Sequence, residues 1–149
     1  MRLIDITSSN WEKVILLTTN PNNQHTLDEE FVASNTYSIV ESIYEADWTI
    51  KAVEEDGQLV GFAMYGLPEG SGAYELRRFM IDRKFQGRGY GKQALALIIR
   101  EMEEKFACKE IYLSTEPGNS RGKHVYESQG FVSTGELQDG EEVYVLRIN

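Results

Sequence analysis

Runs of alternating polar and apolar residues are interleaved along the chain with runs whose apolar positions recur every three to four residues. Residues 2–6 predict a short strand. Ser9-Asn10-Trp11-Glu12 has the spacing of a capping box, so a helix is expected to follow, carrying Val14, Ile15 and Leu17 and stopped by the turn-rich Asn20-Pro21-Asn22-Asn23. Thr26-Leu27-Asp28-Glu29 repeats that spacing. A second helix is expected from there to about Ala46, with Val32, Ile39, Val40 and Ile43 on one face. The period then shortens. Residues 48–55 and 58–65 read as strands joined at Asp56-Gly57, a strong hairpin signal, and residues 74–82 as a further strand after the turn Glu69-Gly70-Ser71-Gly72. A glycine-rich loop leads into a long helix to about Lys105, with Leu95, Ile98, Ile99, Met102 and Phe106 as its buried stripe. Residues 110–115 predict a strand, 119–129 a helix stopped by Gly130, and 131–137 with 142–148 a last hairpin around Asp139-Gly140.

The order β-α-α-β-β-β-α-β-α-β-β predicts one α/β domain over residues 1–149 (α+β in schemes that separate mixed sheets). A mixed sheet of six to seven strands is expected, with helices on both faces. Repeats, linkers and low-complexity segments are absent from the sequence. The 149-residue length fits a single core.

Charge narrows the class of partner. With 15 Lys and Arg against 24 Asp and Glu, the net charge is −9. That argues against nucleic acid and favours cationic partners. No apolar run is long enough to span a bilayer, and residues 1–5 lack a secretory core, so neither a membrane nor an export signal is expected. Cys108 is the one cysteine and has no Cys or His neighbour in sequence. No disulfide and no metal are expected, and the cytoplasm is the expected location.

Gln86-Gly87-Arg88-Gly89-Tyr90-Gly91-Lys92 is the most informative segment. It follows a strand and opens a helix, where free amides and the helix dipole attract phosphate and Arg88 and Lys92 add charge. It is not a dinucleotide fingerprint, because Lys92 stands where the third glycine belongs. Nor is it a Walker loop, because Gln86 and Gln93 replace the required glycine and hydroxyl. Taken by itself, such a loop is also compatible with a tight turn that binds nothing.

Gln86-x-x-Gly89-x-Gly91, set between a strand and a long amphipathic helix, resembles the acetyl-CoA loop of the GCN5-related N-acetyltransferase (GNAT) superfamily. Asn119-x6-Tyr126 followed by Gly130-Phe131, and the order of elements along the whole chain, resemble that family too. The resemblance implies the GNAT fold and acetyl-CoA as co-substrate, with direct transfer to a primary amine in a ternary complex. It places Phe79, Met80 and Ile81 along the pantetheine arm, in a gap where the strand before the loop splays from the next. It gives the pyrophosphate to the amides of Gln86, Gly87, Arg88, Gly89, Tyr90, Gly91 and Lys92, and a carbonyl-polarising N–H to the backbone near Met80. Asn119 matches the position that contacts pantetheine. Tyr126 matches the general acid and Glu75 the offset of a catalytic glutamate, with Glu116 in reserve.

Several segments resemble bacterial spermine/spermidine acetyltransferases of the Blt type: residues 61–67, 31–35, 79–82, 111–114 and 135–141. A polyamine acceptor is implied. Carboxylates and aromatics of the second helix, Glu29, Glu30, Tyr37, Glu41 and Tyr44, together with Glu75, are its candidate contacts. Glu45 and Asp47 extend that acidic run. Arg77-Arg78 is the departure, since some polyamine acetyltransferases carry acids there. Those arginines either repel the acceptor or pair with acids across the sheet near Glu54-Glu55. The alternatives are another amine (a drug, an amino acid or a protein N-terminus) or an acyl-CoA-binding module without turnover. A homodimer is possible within such a family.

Overall fold

A computed structural model describes residues 1–20, 34–45 and 47–149. Among these residues seven strands form one sheet in the order β1-β2-β3-β4-β5-β7-β6. The strands are β1 (Arg2–Asp5), β2 (Trp48–Glu55), β3 (Gln58–Gly66), β4 (Tyr74–Ile81), β5 (Glu110–Thr115), β6 (Val132–Gln138) and β7 (Glu141–Arg147). The helices are α1 (Trp11–Ile15), α2 (Asn35–Tyr44), α3 (Tyr90–Phe106) and α4 (Ser120–Ser128). The expected order of elements is observed. The two Asp-Gly turns have positive φ at both central residues: 50° and 77° at Asp56-Gly57, 50° and 84° at Asp139-Gly140. That conformation matches the twist of paired strands.

Helices cover both faces, as the sheet's alternation requires. Phe62 and Met64 of β3 turn to one side with Ala52, Met80 and Val14 of α1. Ala63 and Tyr65, the intervening residues, turn to the other and pack with Leu95, Ile98 and Met102 of α3 and Tyr126 of α4. The Tyr65 hydroxyl donates to Glu101 of α3 at 2.5 Å, giving the buried ring a polar partner.

Two helix starts differ from the sequence reading. Asn10, not Ser9, holds the N-cap position of α1 but makes no side-chain bond to the helix, and α1 ends at Ile15, so Leu17 lies beyond it. The reason is local: the Asn10 side chain is drawn back to Thr7 N and Asp5 O. Ser34 is extended (φ −66°, ψ 145°) and caps α2 by accepting from Tyr37 N at 3.0 Å. No single helix therefore runs through it to Tyr44. The expected cap at Thr26-Leu27-Asp28-Glu29 lies outside the described residues.

β4 and β5 position the site. They are parallel and pair at Tyr74↔Ile111 and Glu75↔Tyr112. Beyond Glu75 the pairing stops, while β4 stays on β3 to Ile81 and β5 stays on β7 to Thr115. The sheet thus opens into a gap with one wall on each strand, and β7, inserted between β5 and β6, brings the Asp139-Gly140 turn to its mouth.

Candidate active site

A cavity of about 540 Å³ fills the gap. β4 lines it from Glu75 to Met80, β5 from Leu113 to Thr115, and Glu116, Asn119 and Tyr126 close the α4 side. The backbone of β4 faces it with free groups. Asp82 N donates to Val60 O on β3 at 2.8 Å. Alternation along an antiparallel ladder then turns Met80 N–H to β3 and Phe79 and Ile81 N–H to the gap. The N–H expected near Met80 is therefore that of Phe79 or Ile81. Ile81 O, on the gap side, accepts from Gln86 Nε2 at 3.0 Å.

β4 carries a bulge. Arg78 is opposite Met64 and Leu76 opposite Tyr65, which leaves Arg77 as the extra residue. The two arginines consequently reach the same carboxylate on α2. Arg77 Nε lies 3.2 Å from Glu41 Oε1, and Arg78 Nη2 lies 3.7 Å from Glu41 Oε2. Arg77 also lies 3.5 Å from Glu75 Oε1 and over the Trp48 ring at 5.3 Å. The sequence reading offered acids near Glu54-Glu55 as partners. Those are engaged elsewhere, Glu54 with Arg2 and Glu55 with the Met1 ammonium.

Glu75 is half-buried in the gap wall. Burial raises its carboxyl above the ordinary range, and Arg77 draws it partly back. Tyr126 is 9% exposed, lines the cavity and meets the Phe131 ring edge-on at 6.2 Å. Burial, then the charge of Glu141, pushes its phenol up to about 12, so it is protonated at neutral pH. Asn119 caps α4, accepting from Gly122 N at 3.0 Å and donating to Thr115 Oγ1 at 2.9 Å. Asn119 and Tyr126, seven residues apart, both line the cavity as two helical turns require.

The glycine loop lies after β4 and a 3₁₀ turn (Arg83–Phe85). Gly87 and Gly89 take φ of 77° and 78°, and Gly89 is the N-cap of α3 with no side chain to cap it. The first amides of α3, from Tyr90, Gly91 and Lys92, have no intrahelical acceptor. Lys92 and Arg88 are exposed, Arg88 over the Phe85 ring at 5.5 Å, whereas Tyr90 packs against the core.

Of the acceptor candidates, Glu29 and Glu30 lie outside the described residues. Tyr37 and Tyr44 are 48% and 83% exposed and do not line the cavity, because the buried arc of α2 is centred on Ser38. Glu41 is buried at the edge of that arc. The sequence reading missed Asn35, which lines the cavity and donates to Val14 O at 2.9 Å. It also missed Ser114, Thr115 and the turn residues Gln138, Asp139 and Glu141. Asp139-Gly140 was visible as a turn, but its position over the gap depends on β7 pairing with β5.

Comparison with known proteins agrees with this architecture. The acetyltransferase (GNAT) family model matches residues 12–131. A spermine/spermidine N(1)-acetyltransferase from Bacillus subtilis (strain 168) is 44% identical over 100 residues, 62% of this chain and 66% of that protein. The match thus spans just under two thirds of the relative's length. PaiA N-acetyltransferase from Thermoplasma acidophilum, solved with coenzyme A, superposes with a TM-score of 0.73 at 17% identity, covering 99% of this chain and 98% of that one. Spermidine N-acetyltransferase from Vibrio cholerae, solved with CoA and spermine, gives 0.72 at 18%, covering 99% and 94%. The fold and the splayed β4–β5 pair define an acyltransferase-type α/β domain. The chain belongs to the GNAT family.

Proposed function

We propose that this protein is an acetyl-CoA-dependent N-acetyltransferase whose acceptor is a polyamine such as spermine or spermidine. The observation that carries the reading is the gap beyond Glu75, with the glycine loop at the end of β4 and Tyr126 in its wall. The pantetheine arm lies against β4 like an added strand, beside Phe79, Met80 and Ile81. The amides of residues 86–92 take the pyrophosphate. Asn119 flanks the arm and holds α4 in register. Phe79 N–H or Ile81 N–H polarises the thioester carbonyl.

An amine of pKa about 10.4 is neutral in roughly one molecule in 2,500 at pH 7, so a base assists. Glu75, its pKa raised by burial, accepts that proton directly or through a water. The amine nitrogen attacks the carbonyl carbon, the C–S bond breaks, and the Tyr126 hydroxyl donates to the departing sulfur. The amine's proton replaces the phenol's, so the net products are the amide and the free thiol.

The 44% identity to a spermine/spermidine enzyme supports a polyamine acceptor, and so do the acids Glu75, Glu116, Asp139 and Glu141 around the cavity. Glu41, which pairs with Arg77 and Arg78, and Glu75, which pairs with Arg77, together offset the two guanidinium charges and weaken the electrostatic objection to a cation there. A cytoplasmic single-domain enzyme is in keeping with one buried, unpaired Cys108. A homodimer is in keeping with Val132 and Leu137 on the edge strand β6, 52% and 69% exposed.

The test is thiol release from acetyl-CoA with spermine, spermidine, putrescine, an aminoglycoside and a lysine peptide. Saturable turnover with spermine or spermidine alone is expected. Turnover with a different amine sinks the polyamine assignment, and CoA binding without turnover on any amine sinks the enzyme.

A further inference from the structure

We propose that Arg83, Lys84 and Arg121 form a second anion site beside the glycine loop, one that holds the 3′-phosphate of the CoA donor; this rests on the donor reading above.

A separate concavity of about 430 Å³ is lined by Arg83, Lys84, Gln86, Gly87 and Arg121. Three of these five residues are cations, in a chain of net charge −9. Several of the other cations pair with carboxylates: Lys51 with Asp5, Arg77 and Arg78 with Glu41, Lys123 with Glu142, Arg147 with Glu110. Among the described residues no carboxylate forms an ion pair with Arg83, Lys84 or Arg121. Their neighbour Asp82 is 4% exposed and uses its oxygens on backbone, accepting from Thr18 N at 3.0 Å and Lys84 N at 2.9 Å.

The site is braced rather than a chance meeting of surface chains. Arg83 N donates to Thr18 O at 2.8 Å, which fixes the 3₁₀ turn. Gln86, held at Ile81 O, accepts from the Arg121 guanidinium through its Oε1. That pair ties the start of α4 to the end of β4. Like charges gathered with no carboxylate paired to them raise one another's energy, and a bound anion relieves it.

Acetyl-CoA carries two kinds of phosphate. The pyrophosphate belongs to the amides of the loop, which forms one wall of this concavity through Gln86 and Gly87. The 3′-phosphate is a monoester one ribose away, with a charge of about −1.5 to −2 at pH 7. Arginine and lysine around an open concavity suit such a group. The second anion site shares Gln86 and Gly87 with the loop, and a lone pyrophosphate would leave these cations unused.

The experiment is calorimetric binding of CoA and of dephospho-CoA, which lacks only that phosphate. The wild type and the double variant Arg83→Ala/Lys84→Ala are compared, with Arg121→Gln made separately. The wild type is expected to bind CoA about 10-fold more tightly than dephospho-CoA. Both variants are expected to narrow that gap while affinity for dephospho-CoA stays unchanged, which also reports an intact fold. Equal affinity of the wild type for the two ligands overturns the inference and leaves the donor reading standing. So does a variant that weakens both ligands by one factor, because its charge then serves the pyrophosphate or the fold. Failure of the wild type to bind either ligand overturns the donor reading as well.

Discussion

Two basic doublets flank the end of β4, and they stand in opposite electrostatic conditions. Arg77-Arg78 lies in the cavity wall, where a bulge turns both residues toward α2 and Glu41 pairs with each. Arg83-Lys84 lies after the strand in a 3₁₀ turn, with its neighbouring acid bonded to backbone amides. The same residue types thus make a neutralised wall where a cationic acceptor is proposed and an open positive surface where an anionic donor is proposed. A doublet in a sequence reports charge. Only its partners report what that charge attracts.

The largest expected effect tests whether the neutralised wall is where chemistry occurs. Tyr126→Phe is expected to lower kcat by roughly 10- to 1,000-fold with little change in CoA affinity, read by thiol release and calorimetry. Unchanged turnover would remove Tyr126 from the mechanism. The phenol, at about 12, stays protonated across an ordinary assay range, so an alkaline limb below about pH 10 belongs to another group.

Glu41→Ala breaks the comparison directly by leaving both arginines without their shared partner. The side chains of Glu41 and Arg78 are only 6% and 15% exposed. A loss of about 3 kcal/mol is expected in urea unfolding, the range for a buried charge stripped of its counter-ion. The KM for a polyamine should rise as well, because the wall becomes positive. A variant as stable as the wild type would show that solvent already screens the pair.

Gly89→Asp acts on the open side. It places a β-carbon at φ 78° and a negative charge at the start of α3. CoA affinity is expected to fall by about 100-fold, with the fold retained by circular dichroism. Normal binding would move the pyrophosphate away from this loop.

The smallest effect sharpens the role of Glu75. Catalysis needs the carboxylate, so kcat/KM is expected to rise as pH climbs through the raised pKa and then level off. The sign for stability is the reverse. Burial favours the neutral form, whose contribution is full below the unfolded pKa and is lost as pH rises through the folded one. Glu75→Gln is expected to abolish the acid limb and lower the plateau roughly 10-fold or more. A variant with an unchanged pH profile would pass the role of base to Glu116.

Much of this was legible in the residues. The two Asp-Gly turns, the long stripe of α3 and the start of α4 near Asn119 depend on neighbours a few positions away, and each lies within a residue of where the sequence puts it. The start of α2 was less legible. Ser34 is its cap, and Asn35 beside it anchors to Val14 O, a contact between distant segments.

The sequence by itself determined the order of elements, the glycine loop and the spacing of Asn119 and Tyr126, because hydrogen bonds within one turn or one helix set these. Tertiary structure alone decided that pairing of β4 with β5 stops at Glu75, that a bulge aims Arg77 and Arg78 at one glutamate, and that β7 carries Asp139 and Glu141 to the cavity. Register and strand order bring together residues far apart in the chain, and no local pattern encodes which partner a side chain meets there.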